Sequence, residues 1–298
     1  MKTTVDTGGG PVLMTVSIGA PPLLTTVDIG GRPVRVDLAA PFSLALELDF
    51  ALAQPQHFGA PPATARPYAV EGFSGSVATG ASCNCSVVSL IPHCNGTHTE
   101  GVGHLTREPF DAYRLAPPGP IPAVLVSVEA VPASDALATE ETTDPTPHAA
   151  DTLITRQSLE RAWPLDTAWQ PQALVIRTGY SVRPATPSDP SRKGSPPYLT
   201  RPAAALLVER NIDHLIIDLP SLDRDHDQGR LTAHRTFFGL PAGTHSLAEA
   251  RRRNATVTEL AAIPAHIADG RYLLSIQVPA WRGDAVPSRP LLYPLITP

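Results

Sequence analysis

The sequence is short of charge, and neither sign dominates. Only 17% of the 298 residues are charged, and 23 basic against 28 acidic side chains give a net charge of −5. The one basic cluster, Arg251–Arg253, is too small to make a surface that attracts phosphate backbones. We therefore expect no nucleic acid partner.

Long hydrophobic runs are also absent, and cysteine is scarce. No apolar stretch approaches the roughly 18 residues of a membrane-spanning helix, and no apolar run follows Lys2 as in a secretion signal. The three cysteines, Cys83, Cys85 and Cys94, are an odd number that cannot close a disulfide framework. We expect a soluble, cytoplasmic protein with free thiols and no membrane contact.

Several catalytic signatures are missing as well. The chain has no G-x-x-x-x-G-K-[ST] loop, no G-x-G-x-x-G after a strand and no G-x-S-x-G elbow. These absences exclude the common nucleotide-binding and serine-hydrolase classes. Aromatic residues make up 5% of the chain, too few to place a substrate pocket by sequence.

What the chain does have is 42% hydrophobic residues and 34 prolines. The first is enough for a folded core, and the second favours strands and loops over long helices. Helices are predicted at Thr155–Ala162, with Thr155 as the N-cap, and at Ala203–Arg210. Strands are predicted at Leu23–Ile29, Val34–Leu38, Ser86–Ile91, Ala123–Val128, Ala173–Arg177, His214–Asp218, Thr256–Leu260 and Tyr272–Val278.

Two segments, Ala133–Ala150 and Pro184–Pro202, lack periodicity and are predicted to be loops, either of which could act as a mobile lid. The run Asp223–Asp227 is interpreted as a solvated charged loop. No repeat or change in composition divides the chain. We predict one domain, residues 1–298, with an α/β fold.

Histidines are concentrated between His93 and His104. Residues two apart on an extended segment point to the same side, so His98 and Glu100 can address one point together. Glycines around them would let the chain curl until His104 faces the same cavity. Imidazole and carboxylate donors suit Zn or Mn in a catalytic site.

This stretch resembles the H-x-G-T-H-x-D-x-P-x-H motif of the cyclase family of metal-dependent hydrolases, which includes kynurenine formamidase and isatin hydrolase. Gly96–Glu100, followed by His104, is the matching core. Other family elements are matched in order by Val34–Leu38, Phe58–Pro61, Ala173–Tyr180, Ile217–Asp223, Thr232–Arg235 and Val257–Leu260 with Ile263-Pro264.

The resemblance implies a swivelling β/β/α-type single domain with a mixed sheet and Pro-rich loops, assembled as a homo-oligomer, a dimer or a tetramer. It also implies one or two divalent ions, held by His93, His98, Glu100, His234 and Glu259, with Glu100 as the bridge. His104 would be the catalytic proton-transfer residue. The expected reaction is hydrolysis of an amide, formamide or cyclic amide bond in a small-molecule substrate by a metal-activated water.

The sequence departs from the family pattern at several positions. His93 precedes His98 by five residues instead of four, and Cys94 occupies the four-residue position, so either could be the first ligand. Glu100 replaces Asp and Val102 replaces Pro. Leu240–Arg253 is interpreted as an insertion before Glu259, which leaves Glu249 as the alternative carboxylate.

Two other functions remain open at this point. A cysteine-based hydrolase could use Cys94 without a metal. Alternatively, the altered motif could belong to a metal- or ligand-binding member of the family that has lost turnover.

Overall fold

The structure, a computed structural model, describes residues 3–5, 12–14, 22–138, 143–163, 169–182 and 195–296. The chain divides into two compact units, residues 1–41 with 293–298 and residues 42–292. No helix among the described residues is long and apolar enough to cross a membrane.

The smaller unit consists of short antiparallel strands. Its elements are β1 (Thr3–Val5), β2 (Val12–Met14), β3 (Leu24–Ile29) and β4 (Arg32–Asp37). β3 and β4 form a hairpin around Gly30 and Gly31, which both have positive φ. A two-residue turn of this kind requires left-handed backbone, which glycine adopts without a Cβ clash.

The larger unit holds sixteen further strands among the described residues. They are β5 (Phe42–Ser43), β6 (Thr64–Pro67), β7 (Ala69–Val70), β8 (Phe73–Ser74), β9 (Ser86–Ser89), β10 (His98–Gly101), β11 (Ile121–Ser127), β12 (Val131–Pro132), β13 (Thr152–Ile154), β14 (Ala173–Arg177), β15 (Tyr198–Leu199), β16 (His214–Ile217), β17 (Thr256–Glu259), β18 (Gly270–Gln277), β19 (Ala285–Pro287) and β20 (Arg289–Ile296), the last with residues in both units.

The helices of the larger unit are short. They are α1 (Pro92–Asn95), α2 (Ala133–Ala138), α3 (Arg156–Ala162), α4 (Arg201–Glu209) and α5 (Thr232–Phe238). Single 3₁₀ turns cover Val77–Thr79, Val102–Leu105, Ala112–Arg114 and Leu247–Glu249.

The main sheet of this unit is mixed, with the strand order β19-β10-β17-β16-β14-β11-β18-β20. The central strands β11, β14, β16 and β17 run parallel, whereas β10 is antiparallel to both of its neighbours. Leu174 and Ile176 of β14 pack in the hydrophobic cluster that includes residues of α3, α4 and α5, and Ala173 and Val175 pack on the opposite face. Burial on both faces explains the continuous apolar runs of these strands. The predicted α/β class with a mixed sheet is confirmed; the single-domain range 1–298 stays a prediction.

Both predicted helices are present, and Thr155 caps α3 through a reciprocal capping box with Ser158. The prediction of a loop over Ala133–Ala150 is wrong at its start, where α2 forms. Ala133 and Ala136 of α2 pack against Leu153 and Tyr198, so tertiary contacts stabilise a helix that lacks a helical pattern. Of Pro184–Pro202, residues 184–194 lie outside the described part; beyond them, β15 and the first turn of α4 replace the predicted loop.

Candidate metal centre

Strand β10 places two candidate ligands side by side. His98 and Glu100 lie on the same face and are fully buried, while Thr99 between them points away and hydrogen-bonds Thr258 at 2.7 Å. The strand is flanked by β17 and β19, and His98 pairs directly with Glu259 across the ladder. The geometry expected from the two-residue spacing is therefore present.

His93 reaches this pair from α1, the short helix just before β10. Its Nδ1 lies 2.9 Å from Oε2 of Glu100. The neighbouring Cys94 belongs to none of the metal-capable groups among the described residues. Burial also raises the pKa of the Cys94 thiol, which disfavours the thiolate that a ligand or a nucleophile needs.

His234 enters from α5 and faces the opposite side of Glu100. Its Nε2 lies 2.9 Å from Oε1 of Glu100 and 3.3 Å from Oε1 of Glu259. Its Nδ1 is 2.7 Å from Oδ2 of Asp223, which also accepts from the backbone N–H of His234. Asp223 and Asp227 are buried, so the interpretation of Asp223–Asp227 as a solvated loop is wrong at these two residues.

Of the two candidate late carboxylates, the structure brings Glu259 into the cluster. Glu259 is buried at the end of β17, where its Oε1 accepts a hydrogen bond from the backbone N–H of Leu222. Its Oε2 lies 3.6 Å from Nε2 of His98. Glu249 is exposed in the 3₁₀ turn Leu247–Glu249 and belongs to no metal-capable group of the described residues.

These five residues form two overlapping groups that share Glu100. The donor atoms of His93, His98 and Glu100 lie within 4.8 Å of one another, and so do those of Glu100, His234 and Glu259. Within the described part of the chain, Nε2 of His98, Nε2 of His234 and both Glu100 oxygens are buried without a well-formed hydrogen bond. Buried polar atoms in such numbers require a partner. A divalent cation fits this donor set, because imidazole and carboxylate are ligands of Zn and Mn.

The electrostatics of the cluster agree with this assignment. Burial alone would lower the pKa of His93, but the hydrogen bond to Asp284 and the negative charge of the nearby Glu100 raise it to about 10. The pKa of His234 lies well above its ordinary value because the negative charge of Glu100 and the hydrogen bond to Asp223 outweigh burial. Burial would raise the pKa of Glu100, but the surrounding histidines hold it well below the usual range. The carboxylates therefore stay ionised, ready for a cation that would replace the histidine protons.

His104 lies on the outer side of the cluster, in the 3₁₀ turn that follows β10. Its side chain is 28% exposed, and its ring centroid is 4.4 Å from that of His93 and 5.9 Å from that of His234. Gly103 makes this turn possible, since a Cβ there would lie 2.5 Å from the carbonyl oxygen of Phe110. A solvent-facing imidazole beside a buried donor cluster is well placed to exchange protons.

Sequence reasoning missed one more residue of this region. Asp284, just before β19, places Oδ2 2.9 Å from Nε2 of His93 and 3.4 Å from Nδ1 of His104. It is 180 residues from His104, and no motif marks it. Asp223 ends the matched family element Ile217–Asp223, but no role at the site is predicted for it from the sequence.

The family model described as "Putative cyclase" matches residues 36–224. This is well over half of the chain, and the match contains His93, His98, Glu100 and His104. The chain belongs to the cyclase family. No curated protein matches it.

Solved structures show the same fold at low sequence identity. A predicted metal-dependent hydrolase from Bacillus stearothermophilus is 15% identical, with a TM-score of 0.52 over 85% of this chain and 98% of its own. A potential metal-dependent hydrolase with cyclase activity is also 15% identical, with a TM-score of 0.53 over 85% and 97%. Isatin hydrolase A from Labrenzia aggregata, bound to benzyl benzoate, is 16% identical, with a TM-score of 0.52 over 85% and 93%.

Proposed function

We propose that this chain is a metal-dependent hydrolase that cleaves an amide, formamide or cyclic amide bond in a small molecule. The observation that carries the proposal is the convergence of three histidines and the buried carboxylate of Glu259 on Glu100. Ring nitrogens of His98 and His234 and both oxygens of Glu100 are buried there without a well-formed hydrogen bond. Metal-dependent hydrolase and isatin hydrolase are the names of proteins with this fold. That likeness supports the reaction class and leaves the substrate open.

The residues divide into those that hold the metal and one that moves protons. His93, His98 and Glu100 would hold one ion, and Glu100, His234 and Glu259 a second. A divalent ion, Zn or Mn, supplies an activated water and polarises the carbonyl when bound. His104 would take a proton from the attacking water and deliver it to the leaving nitrogen, which is the role of a general acid-base residue.

The proposal is tested by measuring metal content and hydrolysis in the same samples. Wild type, His98→Ala, His104→Ala and the exposed control His226→Ala would be repleted with Zn or Mn and analysed by elemental analysis. Each would then be assayed with N-formylkynurenine as a formamide, isatin as a cyclic amide and a simple lactone.

We expect one or two ions per chain in the wild type and in His226→Ala, and a loss of metal in His98→Ala. His104→Ala should keep its metal while its kcat falls by about 10²–10⁴-fold, the usual contribution of a general acid-base residue. Loss of metal in His104→Ala would make His104 a ligand. A wild type that binds no stoichiometric metal would exclude the metal-dependent reaction, and bound metal without hydrolysis of any substrate class would favour a non-catalytic member.

A further inference from the structure

Each histidine of the metal cluster has its second ring nitrogen held by an acceptor. Nδ1 of His98 lies 3.0 Å from the carbonyl oxygen of Gly96, and Nδ1 of His234 lies 2.7 Å from Asp223. For His93 that acceptor is Asp284, at 2.9 Å from Nε2. A metal-ligating histidine almost always donates its other N–H in this way, which fixes the tautomer and the ring orientation.

We propose that Asp284 is a positioning residue that orients the ligand His93 and the proton-transfer residue His104 through one carboxylate oxygen. The role of His104 rests on the proposed function, whereas the role toward His93 requires only that the cluster binds a metal. Asp284 lies beyond residues 36–224, the part of the chain that the family model matches.

The backbone around Asp284 is fixed by the same elements that carry the ligands. The carbonyl oxygen of Asp284 accepts from the N–H of Gly101 at the end of β10, and that of Gly283 accepts from the N–H of Ala112. The next residue, Ala285, pairs with Glu100 across the ladder between β10 and β19. Asp284 therefore extends a half-exposed carboxylate from a rigid sheet edge toward the outer side of the cluster.

The two contacts determine which ring nitrogen of each histidine is free. A proton on Nε2 of His93, donated to Asp284, leaves the lone pair of Nδ1 facing Glu100, on the side where a metal would lie. A proton on Nδ1 of His104, donated to the same oxygen, leaves Nε2 free for proton exchange with substrate and water. The carboxylate thus orients a base in the way that general acid-base sites require.

The first arm of the test measures metal affinity without any substrate. Asp284→Ala, Asp284→Asn and Asp284→Glu would be titrated with Zn²⁺ against a competing chelator, beside Asp111→Asn as the control. Asp111 pairs with Arg282 on the same segment, at 3.2 Å, so its substitution removes a nearby charge while leaving the histidine contacts in place.

We expect Asp284→Ala to weaken Zn²⁺ binding by about 10–100-fold, the usual effect of losing such a partner. Asp284→Asn should be affected less, because its amide oxygen can still accept from His93, and Asp284→Glu should recover part of the affinity. The cobalt-loaded Asp284→Ala protein should show an altered visible spectrum, while Asp111→Asn keeps that of the wild type. Unchanged affinity in Asp284→Ala, or the loss of a whole metal equivalent at saturating Zn²⁺, would overturn the positioning role.

The second arm separates the action on His104 from the action on the metal. With metal saturating, kcat would be compared for Asp284→Ala, His104→Ala and the double variant. Asp284→Ala alone should lower kcat by about 10-fold or more, and should cause no further loss once His104 is gone, because coupled residues are non-additive. If Asp284→Ala lowered kcat by the same factor in the wild type and in His104→Ala, the link between Asp284 and His104 would be contradicted. If no substrate is turned over, the hydrolase proposal fails while the affinity arm still decides the role of Asp284.

Discussion

His93 lies between two carboxylates, and His234 lies among three. His93 contacts Glu100 and Asp284, both at 2.9 Å, and His234 contacts Glu100 at 2.9 Å and Asp223 at 2.7 Å. The pKa of His93 is raised to about 10 and that of His234 well above its ordinary value. The metal-free protein therefore keeps both imidazoles protonated at pH 7.

Metal binding should release these protons, because an imidazole must be neutral to be a ligand. Loading both metal-binding groups at pH 7 should free about two protons, one from His93 and one from His234. The apparent metal affinity should therefore increase as the pH is raised toward about 10. Calorimetric titration with Zn²⁺ in buffers of different ionisation enthalpy measures the number released. Heats that do not depend on the buffer would contradict this protonation state, and His226→Ala should behave as the wild type.

The first ligand illustrates what the sequence could and could not predict at this scale. The spacing left His93 and Cys94 open, because a helix or an extended segment would present different residues to the site. The turn formed by α1 brings His93 to the cluster, where the longer side chain of Glu100 meets it. Asp284 could not be predicted at all, because its contacts exist only once β19 lies beside β10.

At the scale of elements, α5 depends on a residue outside it. The residue before the helix, Leu231, has a left-handed backbone and supplies no side-chain cap. Asp223 replaces the cap by accepting from the backbone N–H groups of Ala233 and His234. The same carboxylate holds Nδ1 of His234, so it couples the start of the helix to the metal cluster.

Asp223→Ala should therefore lower stability and metal affinity together. Loss of the cap should reduce the free energy of unfolding by about 1–2 kcal/mol, and Zn²⁺ affinity should fall by about 10–100-fold because His234 loses its orienting partner. Denaturant unfolding of the metal-free protein and chelator competition measure the two effects. Asp225→Ala removes an exposed acid of the same run and should change neither stability nor Zn²⁺ affinity. If Asp225→Ala lowered both quantities as much as Asp223→Ala does, the cause would be the lost negative charge and not the lost cap.

Strands were easier to predict than α5. Continuous apolar runs define β14 and β16 within a residue of their observed ends. α5 has only seven residues, and its formation follows from Asp223 reaching it across a loop. The sequence of a charged run does not reveal which of its side chains are buried. Asp223 and Asp227 are buried in the fold, whereas Asp225 and His226 between them are exposed.

At the scale of the whole molecule, the five donors come from four elements, α1, β10, α5 and β17, which meet only in the folded chain. A metal that binds this native site should therefore raise stability. Free metal at about 100 times its Kd adds about 2.7 kcal/mol, which for a chain of this size raises Tm by roughly 4 °C. Differential scanning calorimetry with Zn²⁺ or with chelator should show this shift in the wild type and His226→Ala, and a smaller shift in His98→Ala, which loses a ligand of one of the two groups.

The increase in Tm on metal binding should itself depend on pH, because the stability of the metal-free protein and that of the metal-loaded protein change with pH in opposite directions. In the metal-free protein, the raised pKa of His93 contributes stability that is fully present below its unfolded value near 6.5 and is lost as the pH rises toward about 10. In the loaded protein His93 is neutral, and metal affinity increases as competing protons leave. The difference in Tm between loaded and chelated protein should widen from pH 6.5 to pH 8.5, and a difference that narrows would mean that His93 does not bind the metal.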